Sequence, residues 1–328
     1  MGKNKTKKEY NVISLFSGCG GLDLGIEGNF KYLDKLYPKN PFKIIWANDI
    51  NEKAVKTYKL NFPNTKVIWG DITQILNNDK SYKLPNAEIV MGGFPCQDFS
   101  LSGKRKGLTV QRGKLYQSMV KVVEIVKPRI FIAENVKGLI SWEKGLAIKT
   151  IIEDFAKLGY KVDYKIFNAA DYGVPQNRER VIILGMRNDV YVDFNWPEPT
   201  HTKDFWITIK EAIDDLTTQE KHESMPNCGY SKAKLFPGKQ GNIKTNPNKV
   251  APAMRAEHHG NIEFHYSIPR RLSAREAARI QSFPDDFVFV SSTTDAYRQI
   301  GNAVAPVFAW HIAGMLKDIL IKIEEQEA

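Results

Sequence analysis

Cysteine is scarce. Cys19, Cys96 and Cys228 are the only three in 328 residues, and they are widely separated, with no C-x-x-C pair. That excludes a disulfide framework and leaves a reduced, cytosolic setting as the expectation. No apolar stretch is long enough to span a membrane, so no membrane partner is expected. The basic start, residues 1–8, has no apolar segment behind it and reads as a frayed tail, not a signal peptide. Internal repeats and low-complexity tracts are absent as well. Acidic residues are the minority, 37 Asp+Glu against 47 Lys+Arg, a net charge of +10. That excess points toward a polyanionic partner. Hydrophobic residues at 42% and charged residues at 26% are ordinary for a globular chain. Its length suits one large domain or two unequal ones.

What is present centres on residues 90–100, V-M-G-G-F-P-C-Q-D-F-S. The apolar run 87–91 reads as a short buried strand that ends at Gly92-Gly93, where backbone can approach a ligand closely. Phe94-Pro95 sets a stiff, extended turn. Cys96 then sits just beyond the carboxyl end of a strand, where open parallel sheets place their chemistry. A buried thiol acting as a small hydrophobe is the bland alternative. Lys104, Arg105 and Lys106 follow closely, and positive neighbours favour the thiolate. Cys96 is therefore a candidate nucleophile.

Further toward the start, residues 11–16 form a strand that breaks at Ser17-Gly18-Cys19-Gly20-Gly21 and resumes as a helix. Strand, glycine turn and helix open a nucleotide-binding α/β unit. The dinucleotide pattern is incomplete, because its third glycine would fall at Asp23. A pyrophosphate on the helix start is disfavoured, and a nucleoside-type cofactor without phosphate is compatible. A second strand, 42–47, delivers Asn48-Asp49, and a third, 66–69, delivers Gly70-Asp71-Ile72. Either acid alone could be a helix cap. Two acids at successive strand ends beside a glycine turn favour a nucleoside pocket, since an acid after the second strand can accept ribose hydroxyls.

Residues 97–112 are rich in Ser, Gly, Lys and Arg and long for a plain surface loop, so a lid or binding loop is expected. A helix over 113–127 stops at Pro128, and strand 129–133 delivers Glu134-Asn135-Val136 to the edge that carries Cys96. An unpaired buried carboxylate is costly, so Glu134 reads as functional; a helix-capping acid is the alternative. After a helix around 144–158 and a strand over 161–167, Gln176-Asn177-Arg178-Glu179-Arg180 leads into the apolar strand 181–185. Its alternation puts Gln176, Arg178 and Arg180 on one side of an extended segment.

The set F-S-G-C-G-G, G-F-P-C-Q, E-N-V and Q-N-R-E-R, followed by R-E-A-A-R-I-Q-S-F-P (275–284) and Gly301-Asn302-Ala303-Val304, resembles the DNA (cytosine-5)-methyltransferases. The likeness spans nearly the whole chain except about 193–272, and by size it is nearest to bacterial and phage restriction–modification methylases. It implies an α/β, Rossmann-like methyltransferase fold: a mixed sheet flanked by helices and a smaller, loop-rich target-recognition domain. The expected division is 1–192 with 297–328 for catalysis and cofactor, 193–272 for recognition, and 273–296 as hinge. The implied cofactor is S-adenosylmethionine, held by Phe16, Gly18, Gly20, Asp49, Ile50, Asp71, Ile72, Pro95, Leu115 and Asn302. Phe16 would flank the adenine, Asp49 take the ribose hydroxyls and Asp71 meet the adenine amino group. Many members carry an aromatic residue after the second-strand acid. This chain has Ile50, so an aliphatic face is expected there.

The resemblance also implies a mechanism that explains the residue types. Cys96 would attack carbon 6 of a cytosine and make carbon 5 nucleophilic. Glu134 would hydrogen-bond ring nitrogen 3, Arg180 would contact the base carbonyl oxygen, and Arg178 would support the catalytic loop. Carbon 5 would then take the methyl group, and an unidentified base would remove its proton. In duplex DNA the cytosine must first leave the stack. Ser100, Ser102, Lys104, Arg105 and Arg112 would lie near the vacated space or phosphates, and Arg255 could serve bases or phosphates. Residues 193–272 are Pro-, Asn-, Lys- and His-rich, a composition that suits loops reading a groove. His258, His259 and His265 lack a supporting cysteine pair, so no metal site is expected. The expected protein is a cytoplasmic, DNA-associated monomer, whose cognate endonuclease, where one exists, acts independently. Two rival readings remain, a tRNA cytosine-5 methyltransferase and a DNA reader without catalysis; a nicotinamide oxidoreductase fails on the missing third glycine.

Overall fold

The computed structural model describes residues 9–78, 83–94, 114–234, 242–255 and 262–328. The chain opens with β1 (Tyr10–Leu15) and α1 (Gly21–Glu27) and turns through a short hairpin, β2 (Phe30–Tyr32) and β3 (Lys35–Tyr37). It continues through β4 (Phe42–Asp49), α2 (Glu52–Asn61), β5 (Lys66–Trp69), α3 (Ile72–Asn78) and β6 (Ile89–Gly92). Next come α4 (Lys114–Val126), β7 (Ile130–Val136), the single turn α5 (Gly138–Ser141), α6 (Leu146–Lys157), β8 (Tyr160–Asn168), β9 (Gln176–Asn177) and β10 (Glu179–Arg187). Short helices α7 (Ile209–Ile213) and α8 (Gln219–Glu223) precede β11 (Ala251–Pro252), and α9 (Ala274–Ile280), α10 (Thr293–Asn302) and α11 (Pro306–Glu327) close the chain.

Seven strands form one sheet in the order β5-β4-β1-β6-β7-β10-β8. The first five run parallel, and β10 lies antiparallel between β7 and β8. Parallel strands buried on both faces need apolar residues on both. Accordingly Val12, Ile44, Met91, Ile132 and Leu184 enter one layer with α1, α2 and α11. Ile13, Val90, Phe131, Val181 and Ile183 enter the opposite layer, against α4 and α6. The mixed, helix-flanked sheet expected from the motifs is the observed one.

Local signals explain the main boundaries. Asn51 caps α2 by accepting the backbone N–H groups of Lys53 and Ala54. Thr208 with Glu211 and Ser273 with Glu276 form capping boxes at α7 and α9. The stripe Phe308, Ile312, Met315, Leu316 and Ile319 of α11 is buried, as its helical spacing predicts. The stretch Thr293–Glu327 is long and apolar enough to cross a bilayer by composition, but 67% of its apolar window is packed inside the fold, so it is core.

Among the described residues of 193–272, the α-helices and strands are α7, α8 and β11 alone. Ile209, Ala212, Ile213, Met254 and Ile262 from this stretch are buried in the same apolar cluster as α1 and α11. β11 pairs in parallel with β9, joining Ala251 to Gln176 and Pro252 to Asn177.

Candidate active site

Parallel pairing brings the carboxyl ends of β1, β4, β6 and β7 to one rim: Leu15 lies opposite Asn48 and Gly92, and Gly92 opposite Ala133. The chain leaves β1 through Phe16, whose φ of 53° is left-handed, a strained state for an aromatic residue and one that gathers at functional sites. Gly18 follows with φ 56°, and a Cβ built there meets nothing within 4 Å, so space opens above the turn. Gly20, at φ 95°, packs so tightly that a Cβ would lie 2.3 Å from the Phe62 ring. At Gly21 a Cβ would stand 2.5 Å from the Val304 carbonyl oxygen. The glycine turn is thus clamped between α2 and the Gly301–Val304 segment.

Asp49 closes this turn. Its Oδ2 accepts the Gly18 N–H at 2.8 Å and its Oδ1 the Asn51 N–H at 2.7 Å. Burial pushes its carboxyl above the ordinary range, opposed by the N–H groups of Asn51, Gly18 and Ile50. Beneath it, buried Asn48 donates through Nδ2 to the carbonyls of Ile68 and Gly70, both at 3.0 Å, tying β4 to β5. Asp71 accepts the N–H and hydroxyl of Thr73 at 2.8 Å each and starts α3. The other expected cofactor residues divide by exposure: Ile72 is buried, Leu115 half-buried, Ile50 open to solvent and Asn302 exposed at the end of α10. Partly buried carboxylates beside an open glycine turn and an apolar side chain fit a nucleoside bearing a positively charged group.

On the other side of the rim stands Glu134. The apolar run in sequence places it after its strand, whereas the structure keeps it inside β7, opposite Ile182 of β10, because the antiparallel neighbour pairs as far as Val136. Arg180 Nε lies 2.9 Å from Glu134 Oε1, with both side chains largely shielded, at 15% and 12% exposure. Gly93 makes room for this carboxylate, since a Cβ there would sit 2.9 Å from Glu134 Oε2. Gly93 reads in sequence as room for a ligand; the group that approaches it here is a protein side chain.

Arg178 is buried and addresses backbone. Its guanidinium donates to the carbonyls of Met254 (3.1 Å), Gly301 (2.7 Å) and Ala303 (3.0 Å), and to Gln176 Oε1 at 3.3 Å. Burial pushes its pKa well down, Arg180 adds to that, and Glu134 opposes it. Gln176 in turn donates to Gln281 at 2.6 Å and accepts the Met254 N–H at 3.2 Å. In the 275–284 motif, Arg275 donates to the carbonyls of Pro226, Pro284 and Phe287, and Arg279 pairs with Asp215 and Asp285. His265 is fully buried, its Nδ1 accepting the N–H groups of Ser267 and Ile268, a structural role.

Sequence reading passes over Asn135. It is buried, donates through Nδ2 to the Phe94 carbonyl at 2.9 Å and accepts the Val136 N–H through Oδ1. Two residues past Phe94 stands Cys96. The E-N-V triplet was the one available signal. Pro95, Cys96, Ser100, Ser102, Lys104, Arg105 and Arg112 lie outside the described residues, as do His258 and His259. Arg255 is described and exposed, directly after the Met254 backbone that Arg178 holds.

Sheet and rim together define an α/β methyltransferase. The chain belongs to the C-5 cytosine-specific DNA methylase family, whose model matches residues 10–318. It is 38% identical to the type II methyltransferase M.NgoFVII of Neisseria gonorrhoeae, over 92% of this chain and 85% of that one. With M.FnuDI of Fusobacterium nucleatum it shares 34% identity over 96% of each. Among solved structures, a protein described as a DNA modification methyltransferase encoded within an E. coli prophage superposes with a TM-score of 0.72 at 24% identity, covering 95% of this chain and all of that one. S. pombe Dnmt2 superposes at 0.67 with 20% identity, over 94% and 99%. The enzyme is a DNA (cytosine-5-)-methyltransferase of the restriction–modification type.

Proposed function

We propose that this enzyme methylates one cytosine within a short specific sequence of double-stranded DNA, through a covalent adduct between Cys96 and a flipped-out base. The Glu134–Arg180 pair carries the reading. It is a shielded carboxylate held by a guanidinium, on the strand next to the one that leads into Gly93-Phe94-Pro95-Cys96. The Cys96 thiolate adds to carbon 6 of the cytosine, and the electron pair displaced from the 5,6 double bond moves into the ring. Glu134, protonated in the complex, donates to nitrogen 3 and stabilises that charge, while Arg180 orients Glu134 and meets the base carbonyl oxygen. S-adenosylmethionine, when bound, supplies the methyl group that the activated carbon 5 takes. Loss of the carbon-5 proton to a base then lets the thiolate leave.

The cofactor rests on Phe16, Gly18, Gly20, Asp49, Ile50, Asp71, Ile72, Pro95, Leu115 and Asn302 in this reading. Asp49 takes the ribose hydroxyls, for which each of its oxygens retains a lone pair beside the backbone bond it accepts. Residues 193–272 read the base sequence. Ser100, Ser102, Lys104, Arg105, Arg112 and Arg255 contact the DNA. In this reading the enzyme acts in the cytoplasm as a monomer and protects DNA from a separate endonuclease.

DNA carrying 5-fluorocytosine at the target tests the covalent step. Fluorine cannot leave as a proton, so the adduct stalls after methylation. A denaturation-resistant complex should form with the wild type and not with Cys96→Ser. Methylation of unsubstituted DNA without any trapped complex on the fluorinated duplex would overturn the mechanism.

A further inference from the structure

The rim beside Asp49 carries two large apolar side chains that remain more than half exposed, Ile50 at 68% and Trp69 at 58%. Apolar side chains left open next to candidate ligand-binding carboxylates call for a reason. Trp69 ends β5 directly opposite Asp49 in the parallel register. Its indole Nε1–H donates to the Ile50 carbonyl at 3.0 Å. Asn48 and the Gly70 N–H, which donates to the Asp49 carbonyl at 3.1 Å, tie the two strands only as far as Asp49. The Trp69 bond reaches one residue further, onto the turn itself. Asp49 Oδ1 also holds that turn, through the Asn51 N–H. Ile50 is therefore fixed at its carbonyl by Trp69 and at the next residue by Asp49.

We propose that Trp69 is a positioning residue for the cofactor: its indole N–H sets the 49–51 turn so that the Asp49 carboxylate and the Ile50 side chain meet the nucleoside together. This rests on the cofactor reading of the same rim. Where an aromatic residue at position 50 could stack on a base by its own area, an aliphatic one makes a smaller face and depends more on being held in place. An indole N–H to a carbonyl does this without covering the pocket.

Trp69→Phe keeps a ring and removes the N–H; Trp69→Ala removes both. Binding of S-adenosylmethionine and of S-adenosylhomocysteine by calorimetry, with steady-state kinetics alongside, separates the contributions. Both variants should bind either ligand more weakly by about three- to tenfold, the range expected for one net hydrogen bond. kcat at saturating cofactor and KM for DNA should hold, and the thermal midpoint should move little because the side chain is exposed. Trp69→Phe binding as tightly as wild type would overturn the proposal, as would a parallel fall in kcat or in DNA affinity. Wild-type protein that binds neither ligand would overturn the cofactor reading as well. Binding by wild type with no loss in Trp69→Phe overturns this inference alone.

Discussion

Gly93→Ala adds one methyl group against Glu134, the carboxylate proposed to bind the base. The new Cβ would lie 2.9 Å from Glu134 Oε2. Comfortable carbon–oxygen contacts begin at about 3.3 Å, so the carboxylate must retreat by about 0.4 Å. It cannot do so freely, because Arg180 Nε holds its other oxygen at 2.9 Å. Gly93 is not among the left-handed glycines, so the backbone accepts alanine, and the strain falls on a side-chain end. An error of 1 Å in a reacting geometry can cost ~100-fold, so a shift of this size should cost about tenfold in the methyl-transfer step, or ~1.4 kcal/mol. Stability should change by less than ~1 kcal/mol, since the buried methyl offsets part of the contact strain. Single-turnover transfer of a labelled methyl group measures the first quantity and urea unfolding the second. The same substitution in a Glu134→Ala background, where there is no carboxylate to displace, should cost almost nothing further. An equal tenfold loss in both backgrounds would refute the reasoning and place the effect in the Phe94 turn.

Asn135→Ala strips a buried carbonyl and a backbone N–H of their partners, which should cost roughly 2–4 kcal/mol in urea unfolding and lower turnover further; a loss under ~1 kcal/mol would mean water replaces the amide. Asp23 is buried, accepts the Tyr58 hydroxyl at 2.7 Å, and has its pKa pushed up to about 7, chiefly by burial. Between an unfolded value near ~3.9 and that value the folded chain keeps a proton that the unfolded chain has lost, so stability falls as pH rises through this window. Asp23→Asn should abolish the decline, gaining up to about 4 kcal/mol relative to wild type by about pH 8; parallel thermal midpoints from about pH 5 to 8 would remove Asp23 as its source. Exchange of 193–272 with the counterpart from a relative of different specificity should move methylation to that relative's site while leaving cofactor affinity unchanged. An active chimera that still marks the original sequence would shift recognition to residues 97–112.

The sheet was legible because buried parallel strands must be apolar on both faces, and runs such as Ile89-Val90-Met91 leave little alternative. Asp49 and Asp71 were legible for a related reason, since acids immediately after such runs stand at strand ends. The sequence puts Glu134 just beyond its strand, whereas it lies within β7. Its strand does not stop where apolarity stops, because β10 offers partners for backbone and backbone pairing ignores side-chain polarity. Asn135 was opaque, as nothing local indicates that an amide will meet a carbonyl 41 residues earlier in the chain. Arg178 was opaque in the same way: three of its acceptors are carbonyls of Met254, Gly301 and Ala303, brought to it only by tertiary packing. The β2–β3 hairpin was missed because each strand has three residues, too few for a period to register.

The junction of β9 with β11 bears on how this enzyme could change its target over evolutionary time. Gln176 and Arg178 hold the stretch around Met254 through its amide and carbonyl, and β11 adds main-chain pairing. Those hydrogen bonds do not depend on the side-chain identity of the residues they hold. If 193–272 reads DNA as proposed, its reading residues are at liberty to drift or recombine, provided that the two residues of extended chain, the peptide groups of Met254 and the buried anchors Ile209, Ala212, Ile213, Met254 and Ile262 stay in place. Catalysis then stays constant while specificity diversifies, because the fastening uses main-chain groups and buried apolar side chains rather than the residues that would read the bases.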